Sequence, residues 1–93
     1  MNRALIRSTA FVRAAKRVMK RNPDAAEGLR DALVQLADDA FHPFLKSHKL
    51  KGELDGLWAC SAGYDLRIVF SLVRQDDREA ILLQSVGTHD EVF

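Results

Sequence analysis

The sequence predicts an α+β fold in which an N-terminal antiparallel helix hairpin packs on a small antiparallel β-sheet. Up to about residue 40, apolar residues recur at the three- and four-residue spacing of amphipathic helices. After residue 57, apolar and polar residues alternate as they do in half-buried strands. The stretches between these later segments are short, which favours an antiparallel meander. At 93 residues, the chain is expected to form a single domain over 1–93.

Two helices account for the first half of the chain. Ser8 or Thr9 can cap the first helix. Its apolar stripe comprises Phe11, Ala14, Ala15, Val18 and Met19. The segment 22–24 (Asn-Pro-Asp) ends this helix and begins the next, because proline suits a first helical turn. The second stripe, which reaches about residue 39 with one alanine beyond, comprises Leu29, Leu33, Leu36, Ala37 and Ala40. A connection this short predicts an antiparallel hairpin, and segment 4–7 is assigned to a short strand.

Strands account for the second half. A loop is expected around residues 42–52, followed by strands over 57–62, 65–73 and 80–86. The polar segment 75–78 reads as a turn, and Gly87 ends the last strand before a short tail. Alternation places one set of side chains against the helices: Trp58, Cys60, Ala62, Leu66, Ile68 and Phe70. The other set is expected on an open face with Arg67 at its centre, over which the His48 loop and the His89 tail can fold: Ala59, Ser61, Asp65, Arg67, Val69 and Ser71. Three consecutive apolar residues at 81–83 leave the register of the last strand ambiguous.

Composition limits the type of protein. A lone Cys60 cannot form an internal disulfide, and it is interpreted as a packing residue because no feature that would activate a thiol adjoins it. The N-terminus carries no apolar run long enough for a secretory signal or a membrane span. We therefore expect a cytoplasmic protein without a membrane partner, and no cofactor or zinc cluster is indicated.

Charge is unevenly distributed. The formal net charge of +1, taken alone, argues against a nucleic-acid-binding protein. However, residues 1–22 contain seven cations and no acid, and the second predicted helix is acidic. A further basic cluster follows at Lys46, Lys49 and Lys51, beside His48. Since salt limits the reach of exposed charges to about 8–10 Å, acids on one helix need not weaken a basic surface elsewhere.

Three segments carry a resemblance to a known family. They are the loop His48-Lys49-Leu50-Lys51-Gly52, the strand Tyr64-Asp65-Leu66-Arg67-Ile68-Val69-Phe70 and the ending Gly87-Thr88-His89-Asp90-Glu91-Val92-Phe93. Together with the order of elements, they resemble the RelE/ParE toxin superfamily and, within it, the YafQ-like branch. The Gly-Thr-His ending with a terminal Phe is the more specific of these motifs.

This resemblance implies a function. YafQ-like toxins are ribosome-dependent endoribonucleases that cut mRNA, and a cognate antitoxin neutralises them. The implied reaction is attack of the RNA 2′-hydroxyl on the adjacent phosphorus, which needs a base, an acid and cations but no metal. The implied partners are an antitoxin, the ribosome and mRNA, with operator DNA contacted only through the antitoxin complex.

The same resemblance assigns roles to residues. His48 and His89 match the loop and tail histidines and would transfer protons, because imidazole titrates near neutrality. Asp65 would orient or polarise one of them, and Arg67 would contact the scissile phosphate through its forked donors. Phe93 would stack on an mRNA base. The basic cluster Lys46, Lys49 and Lys51 would contact the RNA backbone.

Three positions depart from the family pattern. Ala59 and Ser61 stand where YafQ-like toxins carry an aspartate and a histidine, and Leu66 stands where they carry a tryptophan. The predicted open face therefore lacks one imidazole. Three outcomes are compatible with this loss: His48 and His89 suffice, cleavage is weaker, or cleavage is lost. We expect residual activity.

Other interpretations stay open at this level. Asp65 and Arg67 could form a structural ion pair, and the histidines could be ordinary solvated residues or, with Asp65, ligate a metal. At the level of function, a non-catalytic protein on the same fold, acting as a gyrase inhibitor or as a co-repressor with its antitoxin, is the main alternative. A small RNA-binding module that uses the basic N-terminal helix is a third.

Overall fold

A computed structural model describes residues 2–63 and 65–93, so that Tyr64 of the strand motif lies outside the described residues. The helices are α1 (Thr9–Arg21), α2 (Ala25–Asp38) and α3 (His89–Val92). The strands are β1 (Ala4–Arg7), β2 (His48–Lys49), β3 (Trp58–Ser61), β4 (Leu66–Gln75) and β5 (Arg78–Thr88). The α+β class is confirmed. Within the described ranges, no helix is long and apolar enough to cross a membrane.

The two long helices begin and end where the sequence places them. The Ser8 hydroxyl caps α1 by accepting a hydrogen bond from the Phe11 amide at 3.0 Å. Lys20 and Arg21 lie in its last turn, where cations favour the helix dipole. Both helices lie on one face of the sheet and bury their apolar stripes against it.

The sheet has five strands in the order β1-β5-β4-β3-β2. Strands β3 to β5 form the expected antiparallel meander, and β2, in the segment expected to be a loop, extends it. In contrast, β1 pairs with β5 in parallel, so the sheet is mixed. The sequence pattern did not predict this parallel pair. A segment as short as the four residues of β1 gives no sequence signal for strand direction. It pairs with β5 because the edge of β5 would otherwise leave N–H and C=O groups unpaired.

A β-bulge settles the register of β5. Val69 pairs with Ser85 and Phe70 with Leu83, which leaves Gln84 as the extra residue. Because of this irregularity, Leu83 and Val86 both face the helices although they are three positions apart, an odd number that would place them on opposite faces of a regular strand. Leu82 lies opposite Ser71 on the other face.

The core on the helix side is built as expected. Cys60, Ala62, Ile68 and Phe70 are buried there, and Trp58 and Leu66 pack against them. From the helices come Phe11, Ala14, Ala15, Leu29, Ala32 and Leu36.

The other face of the sheet is partly covered, so that Ala59 and Val69, which were expected on an open face, are buried. Leu50, Ala59 and Val69 form a second, smaller buried cluster. Leu54 and Leu57, from the segment after β2, pack on it from one side, and Val92 of α3 also packs on it. Segments expected to be a loop and a tail therefore cover part of this face.

The turn between β4 and β5 allows a test of the fold. Asp76 and Asp77 have φ values of 52° and 64°, as the two central residues of a type I′ turn require. A side chain at positive φ is strained, so Asp77→Gly should raise the free energy of unfolding by about 0.5–1 kcal/mol, measured by urea denaturation.

The matched control is Asp55→Gly. Asp55 is also exposed but has a φ of −56°, so glycine relieves no strain there and adds freedom to the unfolded chain. The free energy of unfolding should stay unchanged or fall. Equal effects at both positions would contradict the turn assignment.

Candidate functional site

Strand register places His48 and Arg67 on the same face of the sheet. His48 lies opposite Ala59, which lies opposite Val69. In the next row, Ser61 lies opposite Arg67, which lies opposite Gly87. Directly paired residues, and residues two apart on one strand, share a face. We call this face, away from α1 and α2, the site face.

Arg67 is half-buried, and its guanidinium has no acidic partner among the described residues. Its Nη1 donates to the carbonyl of Leu66 at 2.9 Å. Across the described part of the chain, no carboxylate forms an ion pair with it, neither Asp65 nor an acid of the tail. Its remaining donors are therefore available for an anion, and the structural ion pair considered above is not formed.

Helix α3 brings His89 and Phe93 to the site face. Gly87 lies beneath this helix, and a Cβ there would come within 3.1 Å of the Glu91 Cβ and 3.3 Å of the Val92 Cγ1. The absence of a side chain at position 87 thus allows α3 to pack on the strand. The His89 and Phe93 rings meet edge to face with centroids 4.8 Å apart.

Both oxygens of the Glu91 carboxylate are engaged. Oε1 accepts from the Thr88 amide at 2.9 Å, while the Thr88 hydroxyl accepts from the Glu91 amide at 3.3 Å, which is a capping box. Oε2 pairs with Nη2 of Arg21, on α1, at 2.6 Å. The Thr88 amide and then the Arg21 guanidinium lower the pKa of Glu91 from its ordinary 4.5 to about 2.

Asp65 lies at the same end of the sheet as His89. Leu66 pairs with Thr88, so Asp65 and His89 both adjoin the last rung of the β4–β5 ladder. Asp65 is exposed and lines a pocket of about 320 Å³ with Thr88, Glu91 and Arg21. No hydrogen bond joins Asp65 to a histidine in the described residues. Strand register therefore places Asp65 and His89 at the same end of the sheet, without a hydrogen bond between them in the described structure.

The ring orientation of each histidine follows from its contacts. Nδ1 of His48 lies 3.2 Å from the carbonyl of Lys46, which can only accept, so Nδ1 carries the proton and Nε2 has the free lone pair in the neutral ring. Nδ1 of His89 faces the Asp90 carboxylate at 3.5 Å. Both side chains are exposed. Three inter-strand spacings, about 14 Å, separate β2 from β5, so the histidines flank the site face rather than touch.

The three lysines of the basic cluster do not lie on one surface. Lys49 pairs with Trp58, and its Nζ lies 5.6 Å from the centre of the Trp58 ring, which is on the helix side of the sheet. Lys46, with a left-handed backbone, and Lys51 are exposed at either end of β2. The structure thus separates Lys49 from the site face.

The departures from the family pattern have different surroundings. Ala59 is fully buried in the second cluster, whereas Ser61 is half-buried in the row of Arg67. Leu66 packs against the helix-side core. The small residue at 59 leaves room for Leu50 and Val69 to meet over it.

Cys60 is not a candidate nucleophile. It is fully buried, and burial raises the pKa of its thiol to about 12, so the thiolate is scarce at neutral pH. In residues 2–63 and 65–93, no group of three or more His, Cys, Asp or Glu side chains could hold a metal ion.

Four residues that hold α3 in place were not predicted from the sequence: Arg21, Gly87, Thr88 and Glu91. One signal was present, because Thr88-x-x-Glu91 is the capping-box pattern that marks a helix start. Arg21, the partner of Glu91 on α1, is 70 positions away in the sequence, so no local sequence pattern indicates this pair.

Comparison with known proteins agrees with this architecture. The model of the YafQ family, described as bacterial toxins of type II toxin–antitoxin systems, matches residues 3–93. The chain therefore belongs to the YafQ family of bacterial toxins. No curated protein matches it by sequence.

Solved structures show the same fold. YafQ from E. coli superposes with a TM-score of 0.80 at 19% identity, covering 98% of each chain. The E. coli DinJ–YafQ toxin–antitoxin complex matches with a TM-score of 0.77 at 20% identity, over 100% of this chain and 99% of the matched chain. A YoeB/ParE toxin from Agrobacterium tumefaciens gives 0.75 at 15% identity, over 92% of this chain and 98% of that one. A metal-bound toxin from Helicobacter pylori gives 0.75 at 26% identity over all of both chains.

Proposed function

We propose that this protein is a ribosome-dependent endoribonuclease that cleaves mRNA by acid–base catalysis. One observation carries the proposal: strand register and the docking of α3 bring His48, Arg67 and His89 to a single face of the sheet. These are the residue types that cleavage of a phosphodiester by its own 2′-hydroxyl requires.

The reaction proceeds by in-line displacement. The 2′-oxygen bonds to phosphorus while the bond from phosphorus to the 5′-oxygen breaks, which leaves a 2′,3′-cyclic phosphate and a 5′-hydroxyl. A base takes the proton of the 2′-hydroxyl, and an acid gives one to the departing 5′-oxygen. Water supplies neither atom of the new bond.

The two histidines divide these tasks. The contact of Nδ1 with the Lys46 carbonyl leaves Nε2 of His48 as an acceptor, which suits the base. His89 then acts as the acid at the far side of the phosphate. The exposed position of both rings and their separation across β3 and β4 leave room for an RNA backbone between them.

Arg67 lies between the histidines and stabilises the phosphorane. Its unpaired donors and partial burial support this role, since a guanidinium shielded from water attracts a developing charge more strongly. Asp65, at the end of the ladder that carries His89, orients that imidazole when substrate is bound. Lys46 and Lys51 contact the RNA backbone, whereas Lys49 has no role here because it lies against Trp58 on the helix side of the sheet.

Histidine substitutions test the proposal. His48→Ala and His89→Ala should each lower the rate of mRNA cleavage by about 10²–10⁴-fold, because each removes one proton-transfer group. The measurement is mapping of mRNA 5′ ends after induced expression and, in vitro, on programmed ribosomes. The third histidine, His42, is the matched control: its Nδ1 accepts from the Phe44 amide in a 3₁₀ turn (Pro43–Leu45), and His42→Ala should leave cleavage unchanged.

The main alternative predicts a different phenotype. A non-catalytic protein that inhibits gyrase would arrest growth with intact mRNA and trapped gyrase, and the histidine variants would be as toxic as the wild type. That result, or cleavage that persists in both variants, would overturn the proposal.

Phe93 has a separate test. Its ring is 44% exposed beside His89, where it can stack on an mRNA base. Stacking is worth about 1–3 kcal/mol, so Phe93→Ala should weaken productive binding by about 5- to 150-fold in kcat/KM. Phe93→Tyr keeps a stacking surface and should retain activity. Phe44, another exposed phenylalanine, is the control, and an equal loss in Phe44→Ala would exclude a specific role for Phe93.

We further propose that a cognate antitoxin with an acidic, amphipathic segment neutralises the protein. A groove of about 980 Å³ runs between α1 and α2 over β1. Phe11, Leu29 and Leu33 form apolar lining, and the cations that line it include Arg7, Lys16 and Arg30. Such a groove suits a helix with one apolar and one acidic face. The DinJ–YafQ complex of E. coli is a toxin–antitoxin pair on this fold.

Charge reversal in the groove tests this partner. Lys16→Glu with Arg30→Glu should weaken binding of the protein encoded beside the toxin by about ten- to a hundredfold, because like charges then face each other. Isothermal titration calorimetry measures the change. The double control Arg13→Glu with Lys20→Glu makes the same change in net charge on α1 outside the groove. Equal weakening by both pairs would contradict this docking site.

A further inference from the structure

The ion pair between Arg21 and Glu91 connects two parts of the chain that are far apart in sequence. Arg21 ends α1, and Glu91 lies in α3 between His89 and Phe93. The two side chains meet at 2.6 Å on the surface. The pair therefore ties the C-terminal segment to the helix hairpin.

Helix α3 needs external support to stay in place. It has four residues, and a helix of one turn is unstable by itself because nucleation is unfavourable. Its supports in the structure include the Thr88 capping box, the close approach to Gly87, the packing of Val92 on the second cluster, and the Arg21 tie. The capping box shapes the turn, whereas the other contacts fix where it lies.

The Glu91 carboxylate couples the shape of α3 to its position. One oxygen accepts from the Thr88 amide within the turn, and the other holds Arg21. His89 starts this turn, and its carbonyl accepts from the Phe93 amide at 3.1 Å. A shift of Glu91 therefore moves the imidazole and the terminal ring together.

We propose that Arg21 and Glu91 are positioning residues that hold His89 and Phe93 at the site face. The inference rests on the function proposed above for those two residues. A displacement of about 1 Å can cost up to ~10²-fold in rate, so a weak surface tie can matter for catalysis while adding little to stability. The Glu91 carboxylate is ionised at neutral pH, and because its pKa is lowered to about 2, the tie also persists in mildly acidic solution.

The test uses Arg21→Gln and Glu91→Gln in the full-length protein. Glutamine at 91 can still complete the capping box, so this variant removes the ionic tie selectively. Each variant should lower the cleavage rate at saturating mRNA by about three- to tenfold, and the double variant should lose no more than either single one, because both remove the same interaction. Arg21→Lys keeps a cation and should recover most of the rate.

A second readout does not depend on activity. In ¹⁵N-labelled protein without RNA, the heteronuclear NOE of residues 89–93 should fall in both glutamine variants, and the His89 ring protons should lose the ring-current shift caused by Phe93. Lys20→Gln is the matched control, since it removes one cation from the same helical turn at an exposed residue with no ion pair in the described structure. It should leave the NOE values and the His89 shifts as in the wild type.

The outcomes separate the two proposals. Unchanged NOE values in both glutamine variants, or lowered values with an unchanged cleavage rate, would overturn the positioning role. The same loss of order in Lys20→Gln would also overturn it, because charge alone would then explain the effect. A wild-type protein that cuts no mRNA would overturn the proposed function, while the NMR measurements would still decide whether the tie holds α3.

Discussion

The pairing of β4 with β5 is the constraint on which the other elements depend. The ladder runs from the rung of Leu66 and Thr88 to that of Gln75 and Arg78, with a two-residue turn at the end. One edge accepts β3 and then β2, the other accepts β1, and α1 packs across β5. Since side chains alternate along a strand, a shift of this register by one residue would exchange the contents of the two faces. The bulge opposite Val69 adds one residue to β5 and so changes which face its following side chains point to. As a result, Leu83 and Val86 both reach the helix-side core.

Small residues allow the second layer to form on the site face. Ala59 is buried in the cluster with Leu50 and Val69, and at Gly87 a side chain would collide with α3. The result is a sheet with a large core on one side and a thin, partial cover on the other. Arg67 lies between the two covering segments, half-buried and without an acidic partner in the described chain. A cation in that setting is well suited to bind an anion brought from outside.

Periodicity predicted the elements well because it records which face of each element is buried. The break at Pro23 and the inward set Cys60, Ile68 and Phe70 are found as expected, and so is the stripe of α1 except for Met19, which is exposed. Membership of the YafQ family, inferred from the His48 loop and the Gly-Thr-His ending, is confirmed. Features that depend on distant contacts were not predicted: the parallel pairing of β1, the bulge at Gln84 and the burial of Ala59 and Val69. Each arises where segments far apart in sequence compete for the same edge or surface.

The sequence by itself determined the class of fold, the family and the chemical identity of the candidate groups, because local pattern and residue type are properties of the chain alone. The tertiary structure decided their geometry. It placed His48 and Arg67 in adjacent rows of one face, turned Lys49 toward Trp58 on the other, and tied His89 to the hairpin through Arg21 and Glu91. It also explains why a net charge of +1 says little about binding. Charge acts through distance, and only the packed chain sets the distances between its cations, its acids and the site face.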